Sequence, residues 1–225
     1  MREVIINAYP KSGVTWLLHL ICDLLEGQHQ DTDQMEPLTY NHPITSDWIV
    51  RKNHYPHWNA ATPYLKNKAV IFTQRDPRDV VVSAMFYRKQ ADLELAIEVM
   101  IKSDYVGWVE SWLKPGELKV KQLITTSYEA LHFQPEIELA NIISELTGDP
   151  PTSERIEQAL NRQSFQNMVG QLGGDRHFMR RGIVGDWRNH FNQELAEWFN
   201  EHFGEFMIRQ GYVDNLEWWE SVGNI

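Results

Sequence analysis

Short apolar runs alternate along the chain with longer stretches in which apolar residues recur every three or four positions. Val4-Ile5-Ile6-Asn7-Ala8 is a nearly continuous apolar run, the pattern of a strand buried on both faces. From Gly13 to Leu25 the positions Leu17, Leu20, Ile21, Leu24 and Leu25 form a helical face, and Gly27 supplies a stop signal. Residues 28–47 are polar and aromatic and read as irregular chain. Trp48–Arg51, Ala69–Thr73 and Leu123–Thr126 predict three further strands. Helices are predicted through Val80, Ala84 and Tyr87, over 92–113 as one or two elements containing Trp108 and Trp112, over 135–147 with Gly148 and Pro150 as closure, over 153–162, and over 191–206. The stretch 170–185, rich in glycine and basic residues, reads as loop. Strands separated by helices predict an α/β fold around a mostly parallel sheet. No repeat or linker divides the chain, so a single domain over 1–225 is expected.

Charge narrows the possible partners. The formal net charge is -10, so the surface as a whole repels nucleic acid and anionic membrane. Any site for an anion must gather its cations locally. Cys22 is the single cysteine, which excludes an internal disulfide; it lies in an apolar helical run and reads as a buried, inert thiol. The run after Met1 is too short for a signal sequence, and no apolar stretch reaches 18 residues. A soluble, cytoplasmic protein is expected.

Three segments carry candidate chemistry. Tyr9-Pro10-Lys11-Ser12-Gly13-Val14-Thr15-Trp16 follows a strand and opens a helix, where unbonded N–H groups and the helix dipole favour an anion. Gly13 permits close backbone approach, Ser12 and Thr15 offer hydroxyls, and Lys11 is a mobile cation. A plain helix cap at Ser12 would explain the segment equally well, and GxxxxGK[ST] is absent. Gln74-Arg75-Asp76-Pro77-Arg78-Asp79 continues to Ser83; Asp76 and Pro77 suit the N-cap and first turn of a helix, with Arg75 placed to fork onto a phosphate. Met179-Arg180-Arg181-Gly182-Ile183-Val184-Gly185-Asp186-Trp187-Arg188 holds two adjacent arginines before a glycine.

All three resemble motifs of the cytosolic-type sulfotransferases, in the same order. The first is similar to YPKSGTTWL, with Val14 in place of a threonine; the second to RxxxDxxxS, with Arg75, Asp79 and Ser83 in register; the third to RKGxxGDWK. The resemblance implies a kinase-like α/β sulfotransferase fold, with 3'-phosphoadenosine-5'-phosphosulfate (PAPS) as co-substrate and adenosine 3',5'-bisphosphate (PAP) as product. It implies that Lys11, Ser12, Gly13, Val14, Thr15 and Trp16 bind the 5' end and adenine. Arg75, Ser83, Arg180, Arg181 and Gly182 hold the 3'-phosphate, with Tyr128 and Phe165 at the base. Gln163 stands where the family has a threonine. Arg51-Lys52-Asn53-His54-Tyr55-Pro56 resembles the family's KTHLP element and makes His54 the general base, with His57 and His42 as competitors. Lys11 and Lys52 then neutralise the leaving group, Ser83 restrains Lys11, and no metal is expected.

A small acceptor is implied, bearing a hydroxyl or amine. Tyr55, Trp58, Phe86 and Tyr87 suggest an apolar or aromatic one, walled by 28–58 and 84–112. The chain is shorter than the family's animal members, so those walls are expected to be reduced. The family's dimer motif falls on Arg188 to Glu197, with Asn192-Gln193 replacing Thr-Val, which predicts a monomer or weak homodimer. Two rival readings share the architecture: a phosphoryl transferase, and a catalytically silent nucleotide-binding protein.

Overall fold

Val4, Ile5 and Ile6 are fully buried, and the two-residue period of an extended chain sends them alternately to opposite faces. Ile5 joins Val70 and Phe72 in one apolar cluster; Val4 and Ile6 join Val50, Ile71 and Ile124 in another. A strand needing cover on both faces belongs in the middle of a layered fold. The computed structural model describes residues 2–29, 44–56, 65–89, 92–114, 120–171 and 181–223. Its sheet consists of β1 (Arg2–Asn7), β2 (Gln28–His29), β3 (Trp48–Asn53), β4 (Ala69–Gln74) and β5 (Gln122–Ser127). The order is β2-β3-β1-β4-β5, every pair is parallel, and β1 lies at the centre.

Helices cover the two faces. On one lie α1 (Val14–Leu25), α6 (Pro135–Thr147) and α7 (Ser153–Arg162), through residues such as Leu17, Leu139 and Ile156. On the other lie α2 (Pro77–Arg88), α3 (Leu93–Lys102), α4 (Tyr105–Leu113) and α9 (Gln193–Arg209), through Val81, Ile97, Trp112 and Phe203. The short helices α5 (Tyr128–Phe133) and α8 (Phe165–Gln171) complete the α-helices among the described residues, which also hold 3-10 turns at Asp186–Asn189 and Trp218–Ser221. The α/β architecture with a parallel sheet is as predicted. The helices over 135–147 and 153–162 match, 92–113 divides into two, and the helix predicted over 191–206 runs Gln193–Arg209.

Two local expectations are corrected. Residues 28 and 29 are a strand, not irregular chain: β2 pairs its two residues with Ile49 and Val50 at the sheet edge. Gly27 does not take the left-handed position that ends α1. Glu26 does, with φ 49°, while Glu26 N–H and Gly27 N–H donate to the carbonyls of Asp23 and Cys22. Gly27 is small for another reason: a Cβ there would lie 2.9 Å from both the Cβ and the carbonyl oxygen of Trp48.

Candidate active site

Chemistry in an open parallel sheet gathers at the carboxyl ends of the strands. There, Asn7 at the end of β1 clamps the chain leaving β3: its Nδ2 donates to the Tyr55 carbonyl and its Oδ1 accepts from Tyr55 N–H, both at 3.0 Å. Trp112 Nε1 donates to the same carbonyl at 2.9 Å. Between these fixed points sits His54, with Nδ1 2.7 Å from the Ala8 carbonyl oxygen. A carbonyl only accepts, so Nδ1 carries the hydrogen and Nε2 is the basic nitrogen. Lys52, two residues earlier on β3, is buried and pairs in register with Ile6.

The turn from β1 into α1 is built for close approach. Lys11 has φ 75° and Gly13 φ 84°, both left-handed. Gly13 is the N-cap of α1 and no side chain bonds the helix start. A Cβ on Gly13 would fall 2.4 Å from Tyr128 Cδ2, so conformation and space both demand glycine. Ser12 is buried, and its Oγ has no hydrogen-bond partner. Trp16 Nε1 donates to the Gln163 carbonyl at 3.2 Å, which holds the ring edge-on to Tyr128 with centroids 5.8 Å apart.

The second segment fastens the third. Asp76 caps α2 by accepting from Arg78 N–H, with Pro77 in the first turn, as its sequence suggests. Asp79, whose side chain is fully buried, does more than cap: its oxygens accept from Gly185 N–H at 2.7 Å and Trp187 N–H at 2.9 Å. Burial pushes its carboxyl above the usual range, against the opposing pull of Arg75 and those two N–H groups. Arg75 lies 3.6 Å from Asp79, donates to the Ile183 carbonyl at 2.9 Å and stands over the Tyr128 ring at 4.2 Å. In the third segment Arg181 pairs with Asp186 at 2.8 Å. Gly182 has φ 65°, and a Cβ there would meet Phe165 Cδ2 at 2.7 Å.

These segments surround one cavity of about 560 Å³. Lys11, Gly13, Val14, Thr15, Trp16, Lys52, His54, Arg75, Ser83, Tyr128, Phe165, Arg181 and Gly182, all singled out from sequence, line it. Ser12 is not on the wall but beneath it, at 1% exposure. Arg180, His42, His57 and Trp58 lie outside the described residues. Of the other aromatics assigned to the acceptor side, Tyr87 lines the cavity, whereas Phe86 packs edge-on to His190. Sequence reading missed Arg88 and His132, which also line it. His132 stacks on Tyr128 at 22°, with centroids 6.0 Å apart. Its only sequence signal is its spacing, one helical turn after Tyr128.

Glu129, next to Tyr128, gives a stability test. Its Oε1 accepts Asp76 N–H at 3.0 Å, while Oε2 is buried with no hydrogen-bond partner. Burial pushes its carboxyl from 4.5 up to about 7. A raised acid favours the fold while protonated: this contribution is complete below pH 4.5 and is lost as pH climbs through 7. Glu129→Gln keeps the acceptor for Asp76 N–H without the charge. The variant should match wild type at pH 4.5 and be more stable at pH 8 by up to about 3 kcal/mol, read as a pH-dependent Tm difference. Equal Tm differences at both pH values would remove the charge argument.

A parallel α/β sheet with a cavity lined by Lys11, Lys52, Arg75 and Arg181 at its strand ends is a scaffold suited to an anionic ligand. A family model described as "Sulfotransferase domain" matches residues 1–211, and the chain belongs to that family. It is a sulfotransferase, and its reaction is sulfuryl transfer. Among its relatives, the 3-beta-hydroxysteroid sulfotransferase of Cavia porcellus is 26% identical, covering 98% of this chain and 88% of that protein. Sulfotransferase 2A1 of Homo sapiens is 27% identical, covering 92% and 84%. The fold is shared with mouse sulfotransferase SULT7A1 complexed with PAP, at TM-score 0.71 and 19% identity, covering 94% of this chain and 85% of that one. It is also shared with retinol dehydratase in complex with androsterone and PAP, at TM-score 0.70 and 16% identity, covering 92% and 81%.

Proposed function

We propose that this chain moves the sulfuryl group of PAPS to a hydroxyl or amine of a small, apolar acceptor by in-line displacement, with His54 as general base. The observation that carries the reading is the convergence on one cavity of Lys11, Lys52, His54, Ser83, Arg75 and Arg181 from four separate segments. The residues suit a doubly phosphorylated adenosine. A helix start without a side-chain cap, two left-handed glycines and the partnerless buried Ser12 Oγ suit phosphate oxygens. Trp16, Tyr128, His132 and Phe165 offer flat surfaces for a base. PAPS, when bound, supplies the activated sulfuryl group and an anionic leaving group.

The protein's own part is positioning and charge. His54 Nε2 takes the acceptor proton, because Nδ1–H is committed to Ala8. Lys11 and Lys52 neutralise charge on the departing oxygen. Arg75, Arg181 and Gly182, with Arg180, hold the 3'-phosphate, and Asp79 keeps their two segments together. No metal is needed in this scheme, since the cations do the work magnesium does in a kinase. Tyr87 on the cavity wall and the hydroxysteroid names of relatives support an apolar acceptor. The proposal takes residues 1–225 as one cytoplasmic domain, monomeric or weakly dimeric, that uses neither nucleic acid nor membrane. No helix among the described residues is long and apolar enough to cross a membrane.

Calorimetry with PAP in magnesium-free buffer checks the donor site. Binding in the low micromolar range or tighter, unchanged by added magnesium, is expected, since about four ionic contacts at about 2 kcal/mol each suffice. Binding that requires magnesium would favour the phosphoryl-transferase rival. An acceptor screen with labelled donor, read by product mass, then identifies the acceptor and excludes the silent-protein rival.

A further inference from the structure

Lys11 has an aromatic partner that the sequence motifs do not include. Its Nζ stands 4.2 Å from the centroid of the Tyr87 ring. Tyr87 lies on α2 one turn beyond Ser83, on the same helical flank, and both line the cavity with Lys11. Tyr87 and Lys11 also line a smaller apolar pocket next to it, formed by Val80, Val81, Ala84 and Met100. The left-handed backbone at Lys11 sets where its side chain starts, and the ring is one of the contacts its ammonium makes. Tyr87 is 47% exposed and therefore contributes little to the core.

We infer that Tyr87 is a positioning residue that holds Lys11 by a cation–π contact and so restrains sulfuryl transfer to water before an acceptor arrives. The inference rests on the role proposed for Lys11. In the wasteful reaction, a water oxygen forms the new bond to sulfur while the bond from sulfur to the bridging oxygen breaks. That electron pair stays on the 5'-phosphate, which leaves as PAP; sulfate is the other product, and the water proton passes to His54 and then to solvent. Lys11 promotes this step only when its ammonium reaches the bridging oxygen. A ring that competes for the ammonium lowers the fraction so placed.

An exposed cation–π contact of ordinary strength changes such a fraction roughly two- to five-fold. PAP and sulfate release from labelled PAPS is measured without acceptor for wild type, Tyr87→Leu and Tyr87→Phe, alongside PAP affinity. Tyr87→Leu should raise acceptor-free release roughly two- to five-fold, with PAP affinity rising by no more than the same factor, and Tyr87→Phe, which keeps the ring, should return release toward the wild-type rate. Release from Tyr87→Leu at or below the wild-type rate overturns the inference, as does an equal rise in both variants. Wild-type protein that neither binds PAP nor consumes PAPS would instead sink the sulfotransfer reading beneath it.

Discussion

His54→Ala lowers sulfuryl transfer by about 10³ while PAP affinity stays within about twofold of wild type. The size follows from general base catalysis, which contributes 10²–10⁴ where the base is positioned and correctly tautomeric. Position is supplied by the Asn7 clamp on Tyr55, and tautomer by the Ala8 carbonyl on Nδ1. The donor contacts lie on other segments, so binding should survive. Single-turnover transfer to the acceptor identified by screening measures the first quantity, and calorimetry with PAP the second. A variant within tenfold of wild-type turnover would move the base role away from His54, with His57 and His42 next to be tested.

Lys11→Ala produces a loss of similar size, distributed differently. Removing a cation aimed at developing charge costs about 10²–10³ in kcat. The ground state also loses one ionic contact, worth about thirtyfold in PAP affinity at about 2 kcal/mol. The fall in kcat should therefore exceed the fall in binding. Lys11→Arg should rescue PAP affinity better than kcat, because a planar fork cannot replace a compact ammonium at a single oxygen. Equal losses in binding and kcat/KM, with kcat intact, would make Lys11 an anchor and nothing more.

What the sequence disclosed and what it hid follow a physical line. Strands such as Val4–Ile6 and Val70–Phe72 are legible because burial on both faces writes an unbroken apolar run. The two-residue β2 is too short to have a period, and α5 escapes because Ser127, the last residue of β5, is at once its N-cap, leaving no loop to mark the change. Site residues within contiguous motifs are readable, and those of the described chain line the cavity, save the buried Ser12. Asp79 shows the limit. Its place in the first turn of a helix is evident from position, but its bonds to Gly185 and Trp187 span more than a hundred residues. Only folding brings them together. The Tyr87 ring over Lys11 is hidden for the same reason.

The ladder between β1 and β3 has a practical meaning. Ile6 pairs with Lys52 and Asn7 with Asn53, so the turn bearing Lys11 and the residues leading to His54 emerge from adjacent, hydrogen-bonded strands. Their relative placement is set by backbone register, independent of any helix. Tyr87 and Arg88 sit elsewhere, on the last turn of α2. Changing side chains on that helical end therefore alters the cavity wall and the hold on Lys11 while leaving untouched the paired strands that carry the turn of Lys11 and the approach to His54.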